Sequence, residues 1–139
     1  LEQAPAPVVS PLDALLGLCE SPAERTMLHA LFEIGRGEVT GDHVKLRSLD
    51  DSPCICVPQE VVGRRRIDFA IHGEGLDVAV EIDGYTYHYA TPDLADATLA
   101  RNRELLGVGW RTCAFSARQV EADPHGCARE VLSLFRWIP

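Results

Sequence analysis

Apolar residues first recur at helical spacing beyond residue 21, where Met27, Leu28, Leu31, Phe32 and Ile34 fall along one side of a helix. Ser21-Pro22-Ala23-Glu24 opens that helix: Ser is the N-cap, Pro takes the first helical position and Glu the third. Gly35 or Gly37 closes it. A polar loop is expected from there to about Pro53. Apolar and polar residues then alternate over residues 55–62, 65–72 and 76–83, the period of a half-buried strand. Residues 92–107 are expected as a helix, opened by Thr91-Pro92 and closed by Gly107 and Gly109. A short strand over 110–115 and a last helix over 123–137, with Pro124 at its first position, complete the chain. The order αβββαβα predicts an α/β domain whose mixed sheet, of about four strands, is flanked by helices.

Parity fixes the second and third strands against each other. Ile67, Phe69 and Ile71 share one side of their strand, and Val78, Val80 and Ile82 share one side of theirs. If Glu74-Gly75 is a two-residue turn, Gly73 pairs with Leu76 and the two apolar sets meet on one face. The same register sets Ala70 against Ala79, Asp68 against Glu81 and Arg66 against Asp83. Carboxylates so placed stand ~5 Å apart at Cβ. They repel by roughly 3 kcal/mol at an effective dielectric of about 20. A divalent cation or a shared proton reverses the sign of that interaction. The alanines leave room for the first helix to approach this face, with Glu24 aimed at the same site.

Each of these residues also has a plainer explanation. Glu24 can be simply the N3 member of a capping box. Arg66 can neutralise Asp83 as a cross-strand pair. His88 follows Gly84 on a short loop with Tyr85, Tyr87 and Tyr89. It is suited to proton transfer near neutral pH, and the tyrosines to stacking on a base or sugar or simply to packing. Arg101 and Arg103 lie on the following helix, where either can meet a phosphate.

Composition narrows the partners. Of 139 residues, 13 are Lys or Arg and 21 are Asp or Glu, for a formal net charge of -8. Bulk electrostatics therefore do not draw the chain to polyanions, and a nucleic-acid role needs a local basic strip, a metal or an attached domain. No apolar run approaches the ~20 residues that cross a bilayer. Five cysteines without a disulfide framework point to reduced thiols and a cytoplasmic setting. Cys54 and Cys56 are spaced for one side of a strand rather than for a zinc knuckle. Residues 1–20, Pro- and Ala-rich at the start, are expected as a linker or boundary segment before a domain over 21–139.

Three segments carry a resemblance: Arg66-Ile67-Asp68-Phe69-Ala70, then Val80-Glu81-Ile82-Asp83-Gly84 with His88, then Arg101-Asn102 with Leu105 and Gly109-Trp110-Arg111. Together they resemble the PD-(D/E)XK nucleases, and most of all the uncharacterised bacterial domains similar to the very-short-patch mismatch repair endonuclease. The likeness runs over about residues 21–135. It implies a restriction-endonuclease-like αβββαβ core and a Mg²⁺-dependent endonuclease, with Mn²⁺ as a substitute, that hydrolyses DNA phosphodiester bonds. By position, Asp68 and Glu81 become metal ligands, with Asp83 a third ligand or a water-positioning base. Glu24 matches an acidic residue of the first helix, Arg101 a basic position after the hairpin, and His88 a histidine that orients water or protonates a leaving oxygen. Asp83 stands where the superfamily's lysine is expected, and the branch's zinc-binding cysteines have no counterpart. The expected setting is a larger DNA-processing or defence protein, beside a helicase or other DNA-handling module. Two alternatives remain open: a catalytically inactive nuclease-like module for DNA or protein binding, and a hydrolase of small phosphate esters.

Overall fold

The computed structural model describes residues 10–84 and 92–136. Six strands form one sheet in the order of the chain: β1 (Glu38–Thr40), β2 (His43–Arg47), β3 (Pro53–Val62), β4 (Arg65–Gly73), β5 (Leu76–Asp83) and β6 (Trp110–Ser116). The first five make an antiparallel meander, and β6 lies parallel to β5. Among the described residues there are five helices: α1 (Pro11–Leu16), α2 (Pro22–Ile34), α3 (Pro92–Gly107), α4 (Ala117–Ala122) and α5 (Pro124–Leu132). The domain is thus α/β with a mixed sheet.

Two strands lie where a loop was expected. His43-Val44-Lys45-Leu46-Arg47 alternates strictly, burying Val44 and Leu46, and a turn at Gly41, with φ of 61°, pairs it with β1. The sheet therefore has six strands rather than about four. The C-terminal helix ends at Leu132, and a further short helix, α4, precedes it. Ser116 and Gln119 form a capping box that starts α4, and Asp123 caps α5 through a hydrogen bond from the Gly126 N–H. At the other end, Ser10 caps α1, and Leu15 and Cys19 are buried in the main core. Packed structure thus begins before residue 21.

The β4–β5 hairpin has the expected register, with Gly73 opposite Leu76 and Ala70 opposite Ala79. Glu74 and Gly75 take φ of 49° and 71°, the paired left-handed conformations of a turn that matches strand twist. Phe69, Ile71, Val78 and Val80 meet Met27, Leu28 and Leu31 of α2 and Val131 and Leu132 of α5 in the main core. Ala70 and Ala79 pack with Leu105 of α3 and Trp110 of β6. Small residues do admit a helix close to the sheet there, but the helix is α3, not α2. All five cysteines are free thiols, and Cys54 and Cys56 both point into the main core.

One residue departs from strict alternation. Ile67 joins Ala70, Ala79 and Leu105 instead of Phe69 and Ile71. The β3–β4 ladder pairs Pro58 with Phe69 and Glu60 with Ile67 but skips Gln59 and Asp68 between them. Gln59 has φ of 60°, a left-handed backbone that breaks the pleat at this point. Among the described residues, no helix is long and apolar enough to cross a membrane.

Candidate functional site

The site lies where β4 and β5 stop pairing. Their ladder runs from Gly73–Leu76 to Phe69–Val80 and ends there, one step short of Asp68 and Glu81. Asp68 Oδ2 instead accepts the Ile82 N–H at 2.8 Å, so a side chain takes over where the next backbone bond would be. On its other side β5 remains tied to β6, with Glu81 opposite Ala114 and Asp83 opposite Ser116. A rigid parallel pair therefore holds Glu81 and Asp83, and the break beside Gln59 lets Asp68 leave the sheet's hydrogen bonding.

A cleft of about 340 Å³ gathers Glu24, Asp68, Glu81, Asp83 and Arg101. Glu24, Glu81 and Asp83 are only 5%, 6% and 8% exposed. Carboxylates are seldom buried so deeply without partners, because the charged form loses its hydration. Arg101 supplies one partner: its Nη2 donates to Glu81 Oε1 at 2.7 Å and to the Arg66 carbonyl at 2.8 Å. Arg64, in the turn between β3 and β4, and Arg65 and Arg66, at the start of β4, line the same cleft with Glu20. Arg66 pairs with Glu20 and Arg65 with Glu104, while exposed Arg64 has no acid partner among the described residues.

Burial and mutual repulsion shift the two central acids. Desolvation raises the Asp68 pKa, the Glu24 charge adds to it, and the bond from the Ile82 N–H opposes both. Glu81 is pushed up to about 8 by desolvation first and by the Asp68 charge second, against the pull of Arg101. The Asp68 carboxyl favours the protonated form of Glu81, so a proton held by the pair relieves the repulsion. A proton and a divalent cation answer the same electrostatic demand.

Glu24 settles between its two sequence readings. Its backbone N–H donates to Ser21 Oγ at 3.2 Å, as a capped helix requires. Its carboxylate turns instead to Gln59, accepting from Nε2 at 3.0 Å. Gln59, Arg64 and Arg65 were not singled out by sequence reasoning. The consecutive Arg64-Arg65-Arg66 was a visible signal, whereas a left-handed glutamine inside a strand leaves none. His88, with Tyr85, Tyr87 and Tyr89, lies outside the described residues.

The family likeness implies a divalent cation, and the donors present suit one. Asp68 and Glu81 are hard oxygen ligands already in contact, and Mg²⁺ commonly takes one or two carboxylates and keeps water for the rest of its shell. Among the described residues no group of three or more His, Cys, Asp or Glu is set to hold a metal, so the converging donors are this pair. Arg101, which lines the cleft, has its Nε buried with no hydrogen-bond partner, a donor that a ligand oxygen would satisfy, and Gln59 Oε1 is likewise buried without one. Compared with protein-family models, curated proteins and solved structures, the chain matches none.

Proposed function

We propose that this chain is a divalent-metal-dependent nuclease domain that hydrolyses DNA phosphodiester bonds, with the restriction-endonuclease-like core that its motifs resemble. The observation that carries the reading is the convergence of half-buried Asp68 and buried Glu81 at the open end of a hairpin, in a cleft edged by arginines. A structural strand pair gains nothing from two acids in that position. A cation held by Asp68 and Glu81 supplies Lewis acidity toward a phosphoryl oxygen and lowers the pKa of bound water.

The chain's own residues then have separable tasks. Asp68, fixed by the Ile82 N–H, and Glu81, fixed by β6, hold the ligand oxygens in place. Asp83 lines the same cleft at the motif position where lysine is expected, and there it can orient water. Arg101 brings the positive charge that position 83 lacks, its guanidinium 2.7 Å from Glu81. Arg64 offers an exposed cation to the phosphate backbone, which matters in a chain with net charge -8. Tight DNA binding then calls for a neighbouring DNA-handling module, a helicase being one such partner.

A second reading, an inactive nuclease-like module, is favoured by the Arg101–Glu81 pair itself, because a guanidinium already neutralises one ligand. Cleavage separates the two. Supercoiled, linear and single-stranded DNA are incubated with Mg²⁺, Mn²⁺ or EDTA, using wild type and Glu81→Ala. The nuclease reading expects metal-dependent cleavage that drops ~100-fold or more in the variant. No cleavage by wild type, or equal cleavage by both proteins, contradicts it.

A further inference from the structure

We infer that Gln59 is a positioning residue, which fixes Glu24 beside the Asp68–Glu81 pair; this rests on the reading of that cleft as a cation site. Independent features meet at this residue. Its backbone is left-handed, at φ of 60°, which side-chain-bearing residues rarely adopt and which persists only where surrounding structure enforces it. Glycine would take the same backbone without strain, so what glutamine brings to the position is its amide.

The amide bears directly on the site. Nε2 donates to Glu24 Oε1 at 3.0 Å, holding a carboxylate that is 5% exposed and whose charge reaches Asp68. Oε1 is buried with no partner, although a buried carbonyl oxygen ordinarily accepts a hydrogen bond. The same left-handed backbone takes Gln59 and Asp68 out of the β3–β4 ladder together. One local break thus releases an acid toward the cleft and aims an amide at a second acid.

The test is Mn²⁺ calorimetry with thermal melting on the whole chain, comparing wild type, Gln59→Gly, Gln59→Asn and Glu81→Ala. Gln59→Gly relieves the backbone and removes the amide, so its melting temperature should stay level or rise while Mn²⁺ affinity falls about tenfold. Gln59→Asn tolerates the backbone but is one methylene too short to reach Glu24, and it should lose affinity similarly. A Gln59→Gly protein that binds Mn²⁺ as tightly as wild type overturns the inference. So does one that loses melting temperature along with affinity, which marks a merely structural residue. Should Glu81→Ala bind as wild type does, or wild type bind no Mn²⁺, the cation-site reading itself fails. Loss in Glu81→Ala with retention in Gln59→Gly removes Gln59 alone.

Discussion

At the turn end of the β4–β5 hairpin, His72 stands between two acids, its Nδ1 2.7 Å from Asp77 Oδ1 and its Nε2 2.9 Å from Glu60 Oε2. Trp110 closes the group with its ring edge, 5.2 Å away between centroids. At the open end of the same strands, Asp68 and Glu81 share a cleft with Glu24 and Asp83, and the nearest cation is Arg101. Both clusters are partly buried and both mix charges, but only one is balanced. Each ring nitrogen of His72 has an acid, whereas the open end sets acids against each other in one cleft and keeps two buried polar atoms with no partner. A cluster whose donors and acceptors match needs nothing more than the fold. One that does not match is what the proposed cation site accounts for.

If that contrast is right, substitutions at the two ends move stability in opposite directions. Glu81→Gln keeps the size and a hydrogen bond while removing the cost of burying an acid whose pKa is pushed up to about 8. Measured by chemical denaturation without metal, it should stabilise the protein by ~1–3 kcal/mol. Destabilisation by a similar amount would place Glu81 among the structural acids.

At the balanced end, His72→Ala should destabilise by about 1 kcal/mol, because partly exposed hydrogen bonds contribute modestly. Burial alone would lower the His72 pKa, but hydrogen bonds to Asp77 and Glu60 outweigh it and raise the value above 6.5. The imidazolium is therefore favoured in the folded state. Its contribution is complete below the unfolded value of 6.5 and disappears as pH rises through the raised folded value. A wild-type stability profile should fall across that window more steeply than that of His72→Ala. Parallel profiles would mean that His72 titrates alike folded and unfolded.

How much of this was legible in the sequence depended on the range of the interactions. The hairpin register followed from Glu74-Gly75 and from parity, because both are local and a one-residue slip would split the apolar face. The same parity brought Asp68 and Glu81 to adjacent positions, while the Ser21-Pro22 helix start placed Glu24 in the first turn of α2. β2 was readable in the alternation of residues 43–47, but its two apolar positions are few beside the polar residues around them. The break at Gln59 was not readable, since nothing local demands a left-handed glutamine; the tertiary setting imposes it. Nor could parity tell that α3 would cover the alanines, because small residues admit whichever helix the crossover from β5 to β6 delivers. The partner of Glu24 depended on that break as well, which is why capping and site roles could not be separated from sequence.

The claim that Asp68 and Glu81 form a cation site is tested most directly by following thermal unfolding while Mg²⁺ is titrated into wild type and into Asp68→Ala, with His72→Ala as the control from the balanced end. Binding to the folded state alone stabilises by about 2.7 kcal/mol at one hundred times the dissociation constant. The melting temperatures of wild type and His72→Ala should climb together with added Mg²⁺, and that of Asp68→Ala should stay flat. Equal climbs in all three proteins, or none in wild type, would contradict the claim.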